Sequence, residues 1–149
     1  MVEATPSQIE LLQRAVLQMP MARTLGLRFV SISPGQVELE MPVSEPFTFR
    51  PGQLQATPVF AIADFAAVAA AGSLLEPGAS NATIDATLKL VGPARGRALR
   101  ARGRVMHAGK LLTVCAAEVF AVSEAGEETL CATLLGTARN MPPPASRAE

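Results

Sequence analysis

From Pro58 to Ala71 the chain reads Pro-Val-Phe-Ala-Ile-Ala-Asp-Phe-Ala-Ala-Val-Ala-Ala-Ala, and Asp64 is its only polar side chain. The composition favours helix and leaves no polar stripe for solvent, so the pattern predicts a helix buried on every side. Thr57 fits the N-cap, Pro58 the first helical position and Gly72 the end. A lone carboxylate in such a helix is costly to desolvate unless it is paired, protonated or turned towards a wet cleft. Asp64 is therefore the expected centre of any chemistry, and the rest of the chain its housing.

Size and charge narrow what that chemistry serves. A chain of 149 residues is one domain with room for a core. A formal net charge of zero argues against a dedicated nucleic-acid binder, which would carry a basic excess. Cys115 and Cys131 sit in apolar, strand-like stretches and read as small buried hydrophobes. A single histidine with no cysteine or histidine cluster offers little for a metal site. The polar, acidic N-terminal residues do not read as a secretory signal. The apolar run to Leu75 is barely long enough to span a bilayer and has Asp64 near its middle, so no membrane partner and a cytoplasmic location are expected.

Before the central helix, Thr5 to Gln8 has capping-box spacing with Pro6 at the first helical position. Ile9, Leu12, Val16 and Met19 then recur at helical spacing, predicting an amphipathic helix over 5–19 that Pro20 ends. From Leu27 the period changes to two, and Ser33-Pro-Gly35 marks a turn. In the second arm Val37, Leu39 and Met41 alternate with Gln36, Glu38 and Glu40, one face apolar and one solvated. Residues 42–55, with Pro46, Pro51 and Gly52, read as a loop. Phe47 and Phe49 within it either plug the core edge or line an apolar ligand tunnel.

After the helix, Glu76 to Asn81 is a turn-rich connection. Ile84, Ala86, Leu88 and Leu90 alternate with Thr83, Asp85, Thr87 and Lys89 as a third strand. A long strand from Ala98 to about Met106 puts Arg100, Arg102 and Arg104 on one face, most simply a solvated one. Leu111 to Val122 is apolar on both faces except at Thr113 and Glu118, so both faces need cover. Glu128 to Arg139 is the last strand, and 141–149, with three consecutive prolines, reads as a disordered tail. One antiparallel sheet curled round one apolar helix, an α+β architecture over 1–140, satisfies this order. A partner subunit is the simplest cover for the apolar outer face around Leu112, Val114 and Phe120.

The motifs and their order resemble the hotdog-fold acyl-CoA thioesterases, in particular those like the phenylacetate-pathway enzymes. The resemblance rests on Gly52, Ile62-Ala-Asp64, Thr83-Ile-Asp85, Val91-Gly-Pro93 with Gly96, Arg104-Val-Met-His-Ala-Gly-Lys110 and Gly136-Thr137. It covers roughly Leu25 to Asn140. Where the family usually opens its helix with His-Gly-Gly this chain has Gln55-Ala56-Thr57, and the family's upstream polar amide is replaced near Phe49.

The resemblance implies a site shared between the subunits of a homodimer or homotetramer, and no cofactor beyond the CoA of the substrate. In it, Asp64 acts as general base on water or as nucleophile on the thioester carbonyl, and a backbone N–H of Ala56 or Thr57 polarises that carbonyl. Free amides and the helix dipole stabilise an oxyanion whatever side chain they carry, whereas Pro58 has no N–H to offer. Gln55 can orient water or thioester through its amide but cannot shuttle a proton. Thr83 matches a hydroxyl that contacts the carboxylate or water; its plain alternative is an ordinary strand threonine.

Phe47, Phe49, Phe60 and Phe65 suggest an apolar or aromatic acyl group, although some belong to the core. Arg95, Arg97 and Lys110 lie at turns where CoA phosphates could find them. His107, beside a turn, reads as structural. The alternative to hydrolysis is a non-catalytic acyl-CoA or acyl-group binder on the same fold. Hydratase chemistry ranks last, because it wants a histidine near the carboxylate.

Overall fold

A computed structural model describes residues 6–145 of the chain. Its elements are α1 (Gln8–Gln18), α2 (Pro20–Leu25), β1 (Arg28–Ser33), β2 (Gln36–Pro42), β3 (Thr48–Arg50), β4 (Gln53–Leu54) and α3 (Ala56–Gly72). Four long strands follow: β5 (Ser80–Leu90), β6 (Ala98–Ala108), β7 (Leu112–Val122) and β8 (Glu128–Met141). Six of the strands form one antiparallel sheet in the order β1-β2-β6-β7-β8-β5. It curls round α3, the expected hotdog arrangement.

Alanines are what let sheet and helix approach so closely. Ile62, Ala63, Ala66, Ala67 and Ala70 of α3 are fully buried against Leu39, Leu99, Ala101, Cys115, Val119 and Ala138 of the sheet. Contact is tightest at Gly103 of β6, where an added Cβ would stand 2.1 Å from the Ala66 carbonyl oxygen. Only hydrogen fits there. No helix among the described residues is long and apolar enough to cross a membrane.

Both helix starts differ from expectation. Thr5 lies outside the described residues, and the cap of α1 is Ser7, which forms a capping box with Glu10. Gln8 is thereby freed for the interior: its side-chain amide donates to the Gly72 and Ala79 carbonyls and accepts from Gly78 N–H. Pro20 opens α2 rather than ending the helical segment, since a first-turn residue needs no N–H partner, and Gly26 at φ 72° closes it. In α3 the N-cap is Gln55, not Thr57, and Pro58 is two residues further in than expected. A first-turn proline sacrifices no hydrogen bond at either place, so its presence does not fix the boundary. Gly72 is the last helical residue and Ser73 the C-cap, with Ser73 Oγ donating to the Ala70 carbonyl.

The loop expected over 42–55 contains a turn of 3-10 helix at Glu45–Phe47 and the β3–β4 hairpin. The arginine row is not a merely solvated face. Arg100 pairs with Glu38, Glu40 and Glu128, Arg102 with Glu38 and Glu128, and Arg104 with Glu118. Glu40, assigned to a solvated face by alternation, is 7% exposed beneath Arg28 and Arg100. Burial raises its pKa, but the hydrogen bonds and charges of Arg28 and Arg100 outweigh that and hold the carboxyl below its usual range.

Two strand ends also move. The last strand continues to Met141, because Asn81 and Ser80 of β5 pair with Asn140 and Met141. The expected tail thus begins at Pro142; residues 142–145 carry no regular structure, and 146–149 lie outside the described residues. Leu112 of the outer face is 44% exposed, and Leu135, opposite Ala116 further along the same strand pair, is 56% exposed in the single chain.

Candidate active site

The carboxylate of Asp64 projects from the middle of α3 towards β5. Strict alternation would send Thr83 away from it, with Ile84, Ala86 and Leu88 facing the helix. A β-bulge reverses this. Thr83 is opposite Ala138 and Asp85 opposite Thr137, so Ile84 is the extra residue. Ile84 turns outward at 56% exposed, Ala86 and Leu88 still pack on the core, and Thr83, itself exposed, and Asn81 point towards α3. Thr83 Oγ1 then donates to Asp64 Oδ1 at 2.7 Å, and Asn81 Nδ2 donates to the Val68 carbonyl at 3.0 Å.

Burial among the apolar neighbours of α3 pushes the Asp64 pKa up from 3.8, and the Thr83 hydrogen bond opposes the rise without cancelling it. Cys115, on the strand beneath, has its thiol pushed up to about 11, by burial first and by the Asp64 charge second. That thiol is protonated at neutral pH and is no nucleophile. Among the described residues no three histidine, cysteine or acidic side chains gather as a metal site would need.

Gln55, Ala56 and Thr57 lie elsewhere. They open α3 about 12 Å along the axis from Asp64, at roughly 1.5 Å per residue. Of the first-turn amides, those of Ala56 and Thr57 make no hydrogen bond to any described residue, as expected at a helix start. The Gln55 side chain makes no cap, and Gln55 and Thr57 border a hollow of about 230 Å³ with Met21, Leu25, Pro46 and Phe47. Asp64 and Thr83 border another hollow, of about 270 Å³, between α1, α3 and β5. The two groups of candidate residues thus border different hollows at different places on one helix.

The remaining candidates scatter. Phe47 joins the hollow at the start of α3, Phe60 is exposed one turn further on, and Phe49 is exposed with the Arg50 guanidinium stacked on its ring at 4.7 Å. Arg95 donates to the Gln53 side chain at 2.9 Å, and Arg97 lies 3.8 Å from Glu40. Lys110 lies with Leu74, Leu111 and Met141, beyond the end of α3. His107 is in β6, opposite Val114, next to a bulge. Asn81 was missed because a turn-rich composition hid the start of β5, and the α1 side chains beside Asp64 were missed because a helical stripe alone does not say what it faces.

The thioesterase superfamily model matches residues 59–127, which span most of α3 and run on through β7. A thioesterase family protein from Silicibacter pomeroyi is 32% identical in sequence with a TM-score of 0.86, over 90% of this chain and 98% of that one. A phenylacetic acid degradation-related protein from Ralstonia eutropha is 26% identical at a TM-score of 0.74, over 90% of this chain and 99% of the other. The Escherichia coli PaaI protein from the phenylacetic acid degradation operon shares the fold at 20% identity and a TM-score of 0.78, covering 91% of this chain and 95% of that one. No curated protein sequence matches the chain.

Proposed function

The chain belongs to the thioesterase superfamily, and we propose that it hydrolyses an acyl-CoA thioester with Asp64 as the reacting carboxylate. The observation that carries this is the hydrogen bond from Thr83 to Asp64, which fixes a half-buried carboxylate of raised pKa at the wall of an open hollow. A base poised nearer neutrality is the right agent for taking a proton from water. As the water oxygen attacks the thioester carbon, its proton passes to Asp64 and negative charge gathers on the carbonyl oxygen. Collapse of that tetrahedral species breaks the C–S bond, and the CoA sulfur leaves with the proton that Asp64 returns. Direct attack by Asp64 is the variant route, through a mixed anhydride that water then cleaves.

The oxyanion needs donors, and the amides of Ala56 and Thr57 fit that role at the positive end of α3. They are too far from Asp64 of the same chain to serve it, so the reading includes a homodimer or homotetramer whose copies exchange half-sites. Two features support this. The outer edge of β5, eleven residues long, has no strand beside it among the described residues, and the outer face exposes Leu112 and Leu135. Gln55 would orient water or thioester, Phe47, Phe49 and Phe60 would cover the thioester at the start of α3, and Arg95, Arg97 and Lys110 are the cations offered to CoA phosphates. The reading places the enzyme in the cytoplasm.

The second reading is acyl-CoA binding without turnover, favoured by Gln55, which cannot move a proton. Hydrolysis of a panel of acyl-CoA esters, followed by thiol release, separates the two. Turnover that Asp64→Asn abolishes supports hydrolysis; tight binding of the whole panel with no thiol release would replace it with the binder.

A further inference from the structure

The hollow beside Asp64 has a second wall that the hydrolytic chemistry does not use. Along α1, Val16 is 4% exposed, but Leu12 is only half-buried and Met19, just past its end, is 45% exposed. These apolar side chains face Phe65 and Val68 of α3 across a groove of about 270 Å³. Val68 is one helical turn beyond Asp64, so both line the same side of α3.

The wall is firmly held. The buried Gln8 ties the start of α1 to the end of α3 through the Gly72 carbonyl, and Leu12 Cδ1 lies 3.2 Å from where a Gly72 Cβ would be. At the other end Met21 and Leu25 of α2 border Thr57 and Pro58 at the start of α3. The two short helices therefore run back along α3, and the groove leads from Asp64 towards Leu12.

We propose that this groove receives the acyl chain of the substrate, with Leu12, Val16, Met19, Phe65 and Val68 setting its length. The proposal rests on Asp64 being the hydrolytic residue, which puts the thioester carbonyl at one end of the groove. The lining selects chemistry. Among the described residues its one charge is Asp64 itself and no cation lines it, so an acyl group bearing a second carboxylate is repelled and an apolar one is accepted. A groove of about 270 Å³ has room for an acyl chain of medium length or a small aryl-bearing acyl group.

The test is a chain-length series from acetyl- to dodecanoyl-CoA, read as kcat/KM, beside binding of the matching thioether analogues, which cannot be hydrolysed. Wild type should peak near octanoyl and discriminate against succinyl-CoA. Val68→Phe fills the groove one turn from Asp64 and should lower the octanoyl-to-butyryl ratio by about tenfold or more. Leu12→Ala opens the far end and should move the optimum to longer chains; it carries the test alone if Val68→Phe does not fold. If neither variant moves the chain-length profile, the acyl group lies elsewhere, with the hollow at Phe47 the next place to look, and the inference is overturned while hydrolysis stands. If wild type releases no thiol, hydrolysis falls, and the thioether binding series still decides whether these side chains read chain length.

Discussion

Thr83 Oγ1 reaches Asp64 Oδ1 at 2.7 Å only because Ile84 is a bulge, so one extra residue in β5 connects the sheet edge to the carboxylate of the buried helix. Bulges are costly to ladder pairing and are favoured where a side chain has to be re-aimed beside a site. The hydrogen bond does two things at once: it orients the carboxylate and moderates the rise in pKa that burial imposes.

Removing the hydroxyl should therefore change a pH profile and not merely an activity. Thr83→Ala takes away the interaction that favours ionised Asp64, so the Asp64 pKa rises further and the acid limb of kcat/KM moves to higher pH. Thr83→Ser keeps the hydroxyl and should restore the wild-type limb. A Thr83→Ala enzyme with an unshifted limb would mean that Thr83 is an ordinary strand residue.

For Asp64→Asn, kcat should fall about a hundredfold or more, the usual scale for losing a general base, with KM little changed. Stability gives an independent reading. Because the folded-state pKa is raised above 3.8, the native state binds the proton more tightly than the unfolded chain. Wild-type stability from this group is full below the unfolded pKa and is lost as pH rises through the folded one. The side-chain amide of the variant does not titrate, so the melting temperature of Asp64→Asn relative to wild type should climb across that window and then level off. Parallel melting curves at all pH values would contradict the raised pKa.

Most of this arrangement was legible in the chain. An apolar, alanine-rich run with one carboxylate points to a buried helix, and period-two stretches supply the strands to wrap it. What alternation cannot reveal is a change of parity: it turns Thr83 and Asn81 away from the helix, and only the bulge at Ile84 brings them back. Nor does alternation weigh an ion pair: Glu40 is buried because Arg28 and Arg100 come with it. Helix boundaries slipped at Pro20 and Pro58, where a first-turn proline is compatible with several starts. Nor does spacing along the chain reveal that Gln55, Ala56 and Thr57 open the helix far from Asp64 and border a separate hollow.

Gly103 tests the packing itself. A Cβ there meets the Ala66 carbonyl oxygen at 2.1 Å, and the obstacle is backbone on a helix that has nowhere to retreat. Gly103→Ala should cost about 3 kcal/mol, at the upper end for overpacking, and lower the melting temperature by roughly 6–12 °C for a chain of this size. A variant that melts like wild type would show that α3 can lift off β6 freely.

The proposal of a site shared between copies makes a prediction that no single variant can. Ala56→Gly keeps every amide and should stay within a few-fold of wild type, while Thr57→Pro deletes one N–H and should abolish turnover, in a first turn that tolerates proline. Asp64→Asn is inactive for a separate reason, the loss of the base. If the carboxylate and the amides of one site come from different copies, unfolding and refolding the two inactive chains together creates mixed dimers. Each mixed dimer has one site with both defects and one with neither. Random assortment in an isologous dimer should then return about a quarter of wild-type turnover. Sedimentation should show no stable species at the chain mass of 15.6 kDa under the same conditions. Should the refolded mixture stay inactive while its dimers demonstrably exchange, Asp64 and Thr57 would not meet across an interface, and the donors for the oxyanion would lie elsewhere in the chain.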